Sequence, residues 1–232
     1  MTTHHRLMRL ARPLTPGLAL TLSAALVTGC SQPAAEGETP AAVAAETTPQ
    51  DAFFAALATH CGKAYAGRLV SDDPVDADFV GAPMVMHVAD CSADQIAVPF
   101  HIQVDGEWDR SRTWIFTRTD TGLRLKHDHR HADGTSDAVT MYGGDTADEG
   151  TARAQSFPVD AESIAMFEAE GLAVSVTNVW SVEVDPAGTA DGRYVYQLKR
   201  TEAGGAPEDR LFRVEFDVTQ AVEAPPAAWG WE

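Results

Sequence analysis

Basic residues are scarce in this 232-residue chain, which has 17 lysines and arginines against 34 aspartates and glutamates. Recognition of nucleic acid depends on cationic contacts to phosphate, so a formal net charge of −17 argues against DNA or RNA as a partner. The same balance argues against a polybasic surface that docks on a membrane. An apolar stretch at residues 17–28 is too short to form a stable membrane-spanning helix.

Cysteine is rare as well, with only Cys30, Cys61 and Cys91 in the chain. If the protein is exported, two cysteines inside its folded part are most simply a disulfide, and we expect Cys61 to pair with Cys91. In the loop-entropy description such a bond stabilises the fold by roughly 3–4 kcal/mol. Two free thiols are the alternative at this point.

The N-terminus predicts export. Arg6, Arg9 and Arg12 give a positive segment ahead of the apolar residues 17–28, and this order is typical of a secretory signal peptide over residues 1–29. Removal of the three arginines lowers the formal net charge from −17 to −20.

The signal peptide ends at Val27-Thr28-Gly29-Cys30, which resembles the lipobox of bacterial lipoproteins. The resemblance implies that Cys30 is acylated and becomes the new N-terminus. Ser31 after the cysteine, where other lipoproteins carry Asp, implies sorting to the outer membrane, with the domain facing the periplasm. The chain after Cys30 is similar to uncharacterised secreted lipoproteins of Gram-negative bacteria. The membrane, reached through the N-terminal lipid, is therefore an expected partner.

Two further segments follow the signal peptide. Residues 30–47 are rich in Ala, Pro, Glu and Thr, cannot bury enough apolar surface to fold, and are predicted to form a flexible tether. Residues 48–232 contain no internal repeat and no second change of composition, so we expect a single domain there.

The folded part begins with a predicted helix and continues with strands. Thr48 is a suitable N-cap for a helix over residues 48–62, and Asp160 is one for a short helix over residues 161–170. After Gly62 the apolar pattern changes to period two, which is typical of strands. The predicted strands are residues 63–70, 83–91, 95–104, 111–119, 122–131, 151–158, 173–184, 193–200 and 211–219.

This pattern predicts a mainly β domain, an antiparallel up-and-down barrel of about eight to ten strands with an N-terminal helix and one short internal helix. Barrel closure hides strand edges, and short turns favour consecutive strands as neighbours. The strand count and the segment Gly62-Lys63-Ala64-Tyr65-Ala66-Gly67 are loosely similar to the calycin group of lipocalin-like barrels. This resemblance implies an architecture only.

The row His127-Asp128-His129-Arg130-His131 is the most informative candidate site. Alternate residues of a strand share a face, so the three histidines should follow Leu123 and Leu125 on one face. The leucine face should meet the interior and the charged face water. The histidines are therefore expected at the mouth of the barrel, where they could bind a small polar or anionic ligand.

A divalent metal such as zinc is a second interpretation of the same row. Neighbouring histidines of the row lie about 6.6 Å apart and metal–imidazole bonds are about 2.1 Å long, so one ion can bind two of the three. His129 and His131, or His127 and His129, would then need a further ligand, for which Asp133 and Asp137 are the candidates.

The row also has a limited resemblance to the cupins, in which a Gly, a His-x-His pair and a Glu bind a metal inside a β-barrel. Here Gly122, His129-Arg130-His131 and Asp137 stand in a similar order, with one position of offset and Asp in place of Glu. The resemblance implies a metal-assisted hydrolase or lyase.

Asn178 is a further candidate ligand-binding residue, because a buried amide on an apolar strand face needs hydrogen-bond partners. The Gly- and Asp-rich segment 132–150 beside the histidines is long enough to cover a barrel mouth. Three functions stay open: a barrel that binds a small molecule or metal, which the residues favour, a metal-assisted enzyme, and a structural lipoprotein without a ligand. His87 and His101 are expected to face outward.

Overall fold

The computed structural model describes residues 47–232. The predicted signal peptide and the acylation site Cys30 lie outside the described residues, as does all of the predicted tether except residue 47. No helix within residues 47–232 combines the length and the hydropathy needed to cross a membrane.

Two α-helices, three 3-10 helices and eleven strands make up the described chain. The helices are α1 (Pro49–Ala58) and α2 (Ala161–Ala169), with 3-10 turns at Pro74–Phe79, Ala173–Ser175 and Glu202–Gly204. The strands are β1 (Ala64–Leu69), β2 (Met84–His87), β3 (Asp90–Cys91), β4 (Gln95–Val104), β5 (Glu107–Thr119), β6 (Gly122–His129), β7 (Tyr142–Asp145), β8 (Ala154–Pro158), β9 (Val179–Val184), β10 (Arg193–Arg200) and β11 (Arg210–Asp217).

All strands belong to one antiparallel sheet, which confirms the mainly β, barrel-shaped prediction. The order is β7-β6-β5-β4-β2-β1-β11-β10-β9-β8, with β3 paired to β4 beside β2. The first and last strands of the path approach each other without forming a ladder, so the barrel is nearly closed. At this seam the Asp160 N–H donates to the Gly143 carbonyl at 2.9 Å. A Cβ at Gly144 would stand 1.7 Å from the Pro158 carbonyl oxygen, so only glycine permits the approach.

Helix α1 covers one end of the barrel. Thr48 and Asp51 form a capping box, and Pro49 occupies the first turn, where its missing N–H costs nothing. Phe53 and Leu57 are fully buried, and Phe53 packs against Phe116 at the base of the sheet. The helix stops at Ala58, short of the predicted 62.

The predicted disulfide between Cys61 and Cys91 is confirmed. It joins the segment that follows α1 to β3, which pairs with β4. The covered end of the barrel is thereby tied to its wall.

The C-terminal segment crosses the outside of the barrel. The Val222 N–H donates to the Ala64 carbonyl, and the Trp229 N–H donates to the Arg110 carbonyl. Trp231 donates its indole N–H to Asp128 at 2.8 Å. This segment covers outer positions of the sheet that would otherwise meet water.

Several predicted elements differ from the observed ones. Residues 83–91 form two strands, β2 and β3, with a break between them. The predicted strand 173–184 begins only at Val179, because residues 173–175 form a 3-10 turn. Strand β7 lies inside the segment 132–150 that was expected to be a loop.

Candidate functional site

A cavity of about 350 Å³ opens at the end of the barrel opposite α1. Its walls come from strands on both sides of the barrel, together with the 3-10 helix Pro74–Phe79 and the segment around α2. Aromatic side chains dominate the inner wall, namely Phe100, Trp114, Tyr142, Trp180, Tyr196 and Phe212. Volume and lining are those of a small-molecule site.

The aromatic wall is ordered by stacking. The Trp114 ring lies parallel to the Tyr196 ring at 4.2 Å and to the Phe100 ring at 4.8 Å between centroids. His127 stacks on Tyr142 at 4.7 Å. These contacts hold flat, rigid surfaces toward the cavity, and such surfaces bind apolar or aromatic groups without losing much side-chain freedom.

Charged side chains ring the mouth of this cavity. Arg112, Arg200 and Arg210 line it together with Asp76 and Asp137. Three arginines among the lining residues contrast with a chain whose formal net charge is −17. The lining therefore contains three arginines against two aspartates, the reverse of the balance in the whole chain.

The register of β10 and β11 places two of these arginines side by side. Arg200 on β10 is directly opposite Arg210 on β11. Like charges at opposite positions of neighbouring strands repel, so each needs a carboxylate partner. Arg210 is held by both oxygens of buried Asp76, at 2.6 and 2.7 Å, and by Asp73 at 3.1 Å. Among the carboxylates of residues 47–232, Arg200 pairs only with Glu208, at 3.0 Å, and that carboxylate is largely exposed.

Asn178 lies beside Arg200 at the rim. The β9–β10 register pairs Val179 with Lys199, and one further step in the same register places Asn178 next to Arg200. Both side chains line the cavity and are more than nine-tenths buried. Within residues 47–232, the Arg200 Nε and the Asn178 Oδ1 are buried without a hydrogen-bond partner. Such orphan groups are uncommon and need an explanation.

His127 reaches the cavity, as the leucine register predicts, but both of its ring nitrogens are engaged. Nδ1 lies 3.0 Å from the Tyr142 carbonyl, which can only accept, so Nδ1 carries the proton. Nε2 therefore accepts from the Tyr196 hydroxyl at 2.7 Å. Burial lowers the pKa of His127 to about 3, so the ring stays neutral. Its lone pair is not free for a metal.

His129 also lines the cavity, across from Arg112 in the β5–β6 register. Its Nε2 lies 3.0 Å from the Tyr142 hydroxyl, which is itself buried. Burial, with a smaller contribution from Arg112, lowers the pKa of His129 to about 4. Burial raises the pKa of Tyr142 to about 12, so both groups are uncharged near neutral pH.

His131 and Asp133 lie away from this arrangement. Strand β6 ends at His129, and His131 is exposed, with Nε2 4.0 Å from Asp137. Asp133 accepts from the N–H and the hydroxyl of Thr135 within its own turn. These bonds hold the pKa of Asp133 below its usual value.

The expected metal site is therefore not assembled by His127, His129, His131 and Asp133. Across residues 47–232, no group of three or more His, Cys, Asp or Glu side chains is arranged to hold a metal ion. His127 and His129 line the cavity, whereas His131 lies beyond the end of β6 and is exposed. The limited likeness to cupins, carried by His129, His131 and Asp137, gains no support from this placement.

The outward face of β6 also differs from expectation. Lys126 and Asp128 were expected to meet water, and both are buried. Asp160 and Glu162 beside α2 bind the Lys126 ammonium at 2.8 and 3.1 Å. Asp128 accepts from Trp231 in the C-terminal segment. Alternation along a strand predicts which side chains face the barrel interior. It does not predict which distant segments of the chain cover the outer face.

Sequence reasoning missed the rim arginines. Arg200 and Arg210 continue the inward positions Leu198 and Phe212 by one alternate step, at the ends of β10 and β11. The period-two pattern alone could therefore have predicted that both arginines face inward. Their closeness to each other depends on register, which the sequence does not show.

No protein-family model matches this chain, and neither a curated protein nor a solved structure matches it. The function therefore has to be argued from the cavity and its rim.

Proposed function

We propose that this protein binds a small, largely apolar molecule inside its barrel, in the manner of a lipocalin-like carrier. The observation that carries the proposal is the aromatic cavity of about 350 Å³ at the open end of the barrel. A barrel filled only for stability would pack side chains into this space. Here Trp114, Tyr196 and Trp180 form walls around it instead.

The polar groups of the cavity favour binding over catalysis. A general base must present a free lone pair near neutral pH, and a nucleophile needs such a base beside it. Both ring nitrogens of His127 form hydrogen bonds, one with the Tyr142 carbonyl and one with the Tyr196 hydroxyl. The buried Tyr142 hydroxyl has a pKa of about 12 and does not ionise. These groups are fixed and neutral, which suits a wall that recognises a ligand.

The proposed setting is the bacterial outer membrane. The charge pattern of residues 1–12, the apolar residues 17–28 and Val27-Thr28-Gly29-Cys30 support acylation at Cys30. The tether of residues 30–47 would then connect the lipid to the barrel.

Binding can be tested with N-phenyl-1-naphthylamine, a neutral aromatic probe whose fluorescence rises in apolar surroundings. We expect the purified full chain to give a saturable rise with a single class of sites. Leu198→Trp fills the cavity and should abolish the saturable signal, because Leu198 lines it. Leu211→Trp, at the neighbouring but exposed position of β11, is the matched control and should bind as the wild type does.

Equal binding by wild type and Leu198→Trp, with both folded by circular dichroism, would contradict the proposal. Fluorescence from probe dissolved in detergent is the same in the samples of all three proteins, so it does not affect the comparison.

The lipid anchor has a separate test. Cells expressing the full chain and fed labelled palmitate should label the wild-type protein, and Cys30→Ser should remove the label. Labelling that persists in Cys30→Ser would show that the lipid, if present, is attached elsewhere.

A further inference from the structure

Arg200, at the rim of the cavity, has a buried donor that finds no partner within residues 47–232. Arg210 is paired through both terminal nitrogens with Asp76 and also with Asp73, and Arg112 is paired with Asp109 at 2.5 Å. Arg200 has only Glu208, through one of its terminal nitrogens. Its Nε–H is buried and finds no partner in the part of the chain that the structure describes.

Arg200 is nonetheless the most enclosed of the three. Its side chain is 8% exposed, against 13% for Arg210 and 28% for Arg112. An arginine keeps its charge at any accessible pH, so burial does not neutralise it. A buried guanidinium with an open donor is unfavourable in the empty protein, and a ligand that supplies an anionic oxygen would relieve this cost.

Asn178 adds a second open group at the same place. Its amide is 4% exposed, sits beside Arg200 in the continued β9–β10 register, and leaves Oδ1 without a partner in residues 47–232. Rotation of the amide by half a turn exchanges oxygen for NH₂, so the group can donate as well as accept. Arg200 and Asn178 together can donate to both oxygens of one acidic group.

The wall beneath these two groups is apolar. Trp180 and Leu198 are the next inward pair of β9 and β10, and Phe212 is opposite Leu198 on β11. The cavity thus has a polar rim, where Arg200 and Asn178 lie, and an aromatic interior, arranged along the barrel axis. A ligand that matches both parts has an acidic group at one end of an apolar body.

We infer that the ligand is an amphiphilic anion, an aromatic or apolar molecule with one acidic oxygen group bound by Arg200 and Asn178. The inference rests on the proposed binding function and adds the chemical class of the ligand. The acidic group lies at the rim, and the apolar body lies against Trp180 and Leu198.

Two fluorescent probes test this directly, because they share an anilinonaphthalene body. 8-Anilinonaphthalene-1-sulfonate carries an acidic group, and N-phenyl-1-naphthylamine is its neutral counterpart. With the full chain we expect the sulfonate to bind at least tenfold more tightly than the neutral probe. Arg200→Gln should lower the affinity for the sulfonate by tenfold or more and leave the neutral probe within twofold.

Arg193→Gln is the matched control, with the same loss of charge on the same strand at the far end of β10, where the side chain is exposed. It should bind both probes as the wild type does. Asn178→Leu provides an independent variant if Arg200→Gln does not fold, and it too should weaken the sulfonate selectively.

Each result has a distinct meaning. Equal affinity of wild type for the two probes, or an equal effect of Arg200→Gln on both, would overturn the anion assignment while binding itself stands. Failure of the wild type to bind either probe would overturn the proposed function, and the anion assignment with it.

Discussion

His127 shows how a residue suited to chemistry can serve the structure instead. The ring is 2% exposed, donates to a backbone carbonyl and accepts from a tyrosine hydroxyl. His60, at the covered end of the barrel, repeats the arrangement with Tyr65 and the Asp185 carbonyl. In both cases a neutral imidazole joins two groups that would otherwise be buried without partners. The imidazoles therefore fix tyrosines in place, and burial lowers the pKa of both rings.

Buried histidines make the fold sensitive to mild acid. The folded-state pKa of His127 is about 3, and an unfolded histidine has a pKa of about 6.5, so the unfolded chain binds more protons between these values. The stabilisation is complete above about pH 6.5 and is lost as the pH falls toward 3. His101 and His129, with pKa values of about 4, act in the same direction.

The free energy of unfolding should therefore fall less steeply between pH 6.5 and 4.5 in His127→Phe than in the wild type, by up to about 1.4 kcal/mol per pH unit. At pH 7 the variant should be less stable by about 2–3 kcal/mol, because the Tyr142 carbonyl and the Tyr196 hydroxyl lose their partner. Denaturant unfolding at a series of pH values measures both effects. His131→Phe, at an exposed position, is the matched control and should leave the stability at pH 7 close to that of the wild type. An unchanged slope in His127→Phe would show that His127 does not titrate on unfolding.

The 3-10 helix Pro74–Phe79 is held in the wall of the cavity by a buried ion pair and an aromatic contact. Asp76 is buried and binds both terminal nitrogens of Arg210, and Phe79 packs on Phe212 with ring centroids 6.1 Å apart. The helix contributes Asp76 and Phe79 to the cavity. The edge of the cavity is thus held by contacts between this short helix and β11.

Asp76→Asn should loosen this helix. Removing one member of a buried pair leaves Arg210 with Asp73 alone, so we expect a loss of about 2–3 kcal/mol in the free energy of unfolding. Amide hydrogen exchange over residues 74–80 should also become faster. Asp78→Asn makes the same chemical change at an exposed position of the same helix and should have little effect. Equal stability of the two variants would contradict the role given to Asp76.

The sequence predicts most of the strands, because alternation of buried and exposed side chains is a local signal. It does not predict β7, because Tyr142-Gly143-Gly144-Asp145 lacks β-branched residues. This strand forms by pairing with β6, and Gly144 permits the close approach to Pro158. The start of β9 was placed too early for a similar reason. The apolar residues 173–176 satisfy a strand pattern, but the chain turns there to line the cavity.

The sequence predicts where the histidines of the candidate site point, but not which side chains surround them. Leu123 and Leu125 correctly direct His127 and His129 into the barrel. The pattern could not show that Tyr142 and Tyr196 form hydrogen bonds with the imidazoles, since these tyrosines lie on β7 and β10. Side-chain partners from distant strands depend on register and barrel closure, which local periodicity does not contain.

Across the whole molecule, the barrel has two different ends. Helix α1 and the Cys61–Cys91 disulfide cover one end, and the aromatic cavity with its arginine rim opens at the other. The outer face is covered in part by α2 and by the C-terminal segment, which bury Lys126 and Asp128. A barrel closed at the base and held firmly around its wall can keep one end open for a ligand.

The indole N–H resonances report directly on ligand binding inside the barrel, since the chain has only five tryptophans. Trp114 and Trp180 line the cavity, whereas Trp108, Trp229 and Trp231 do not. We expect N-phenyl-1-naphthylamine, titrated into the ¹⁵N-labelled full chain, to shift the Trp114 and Trp180 signals and leave the other three in place. Shifts confined to Trp108, Trp229 and Trp231 would contradict a ligand site inside the barrel.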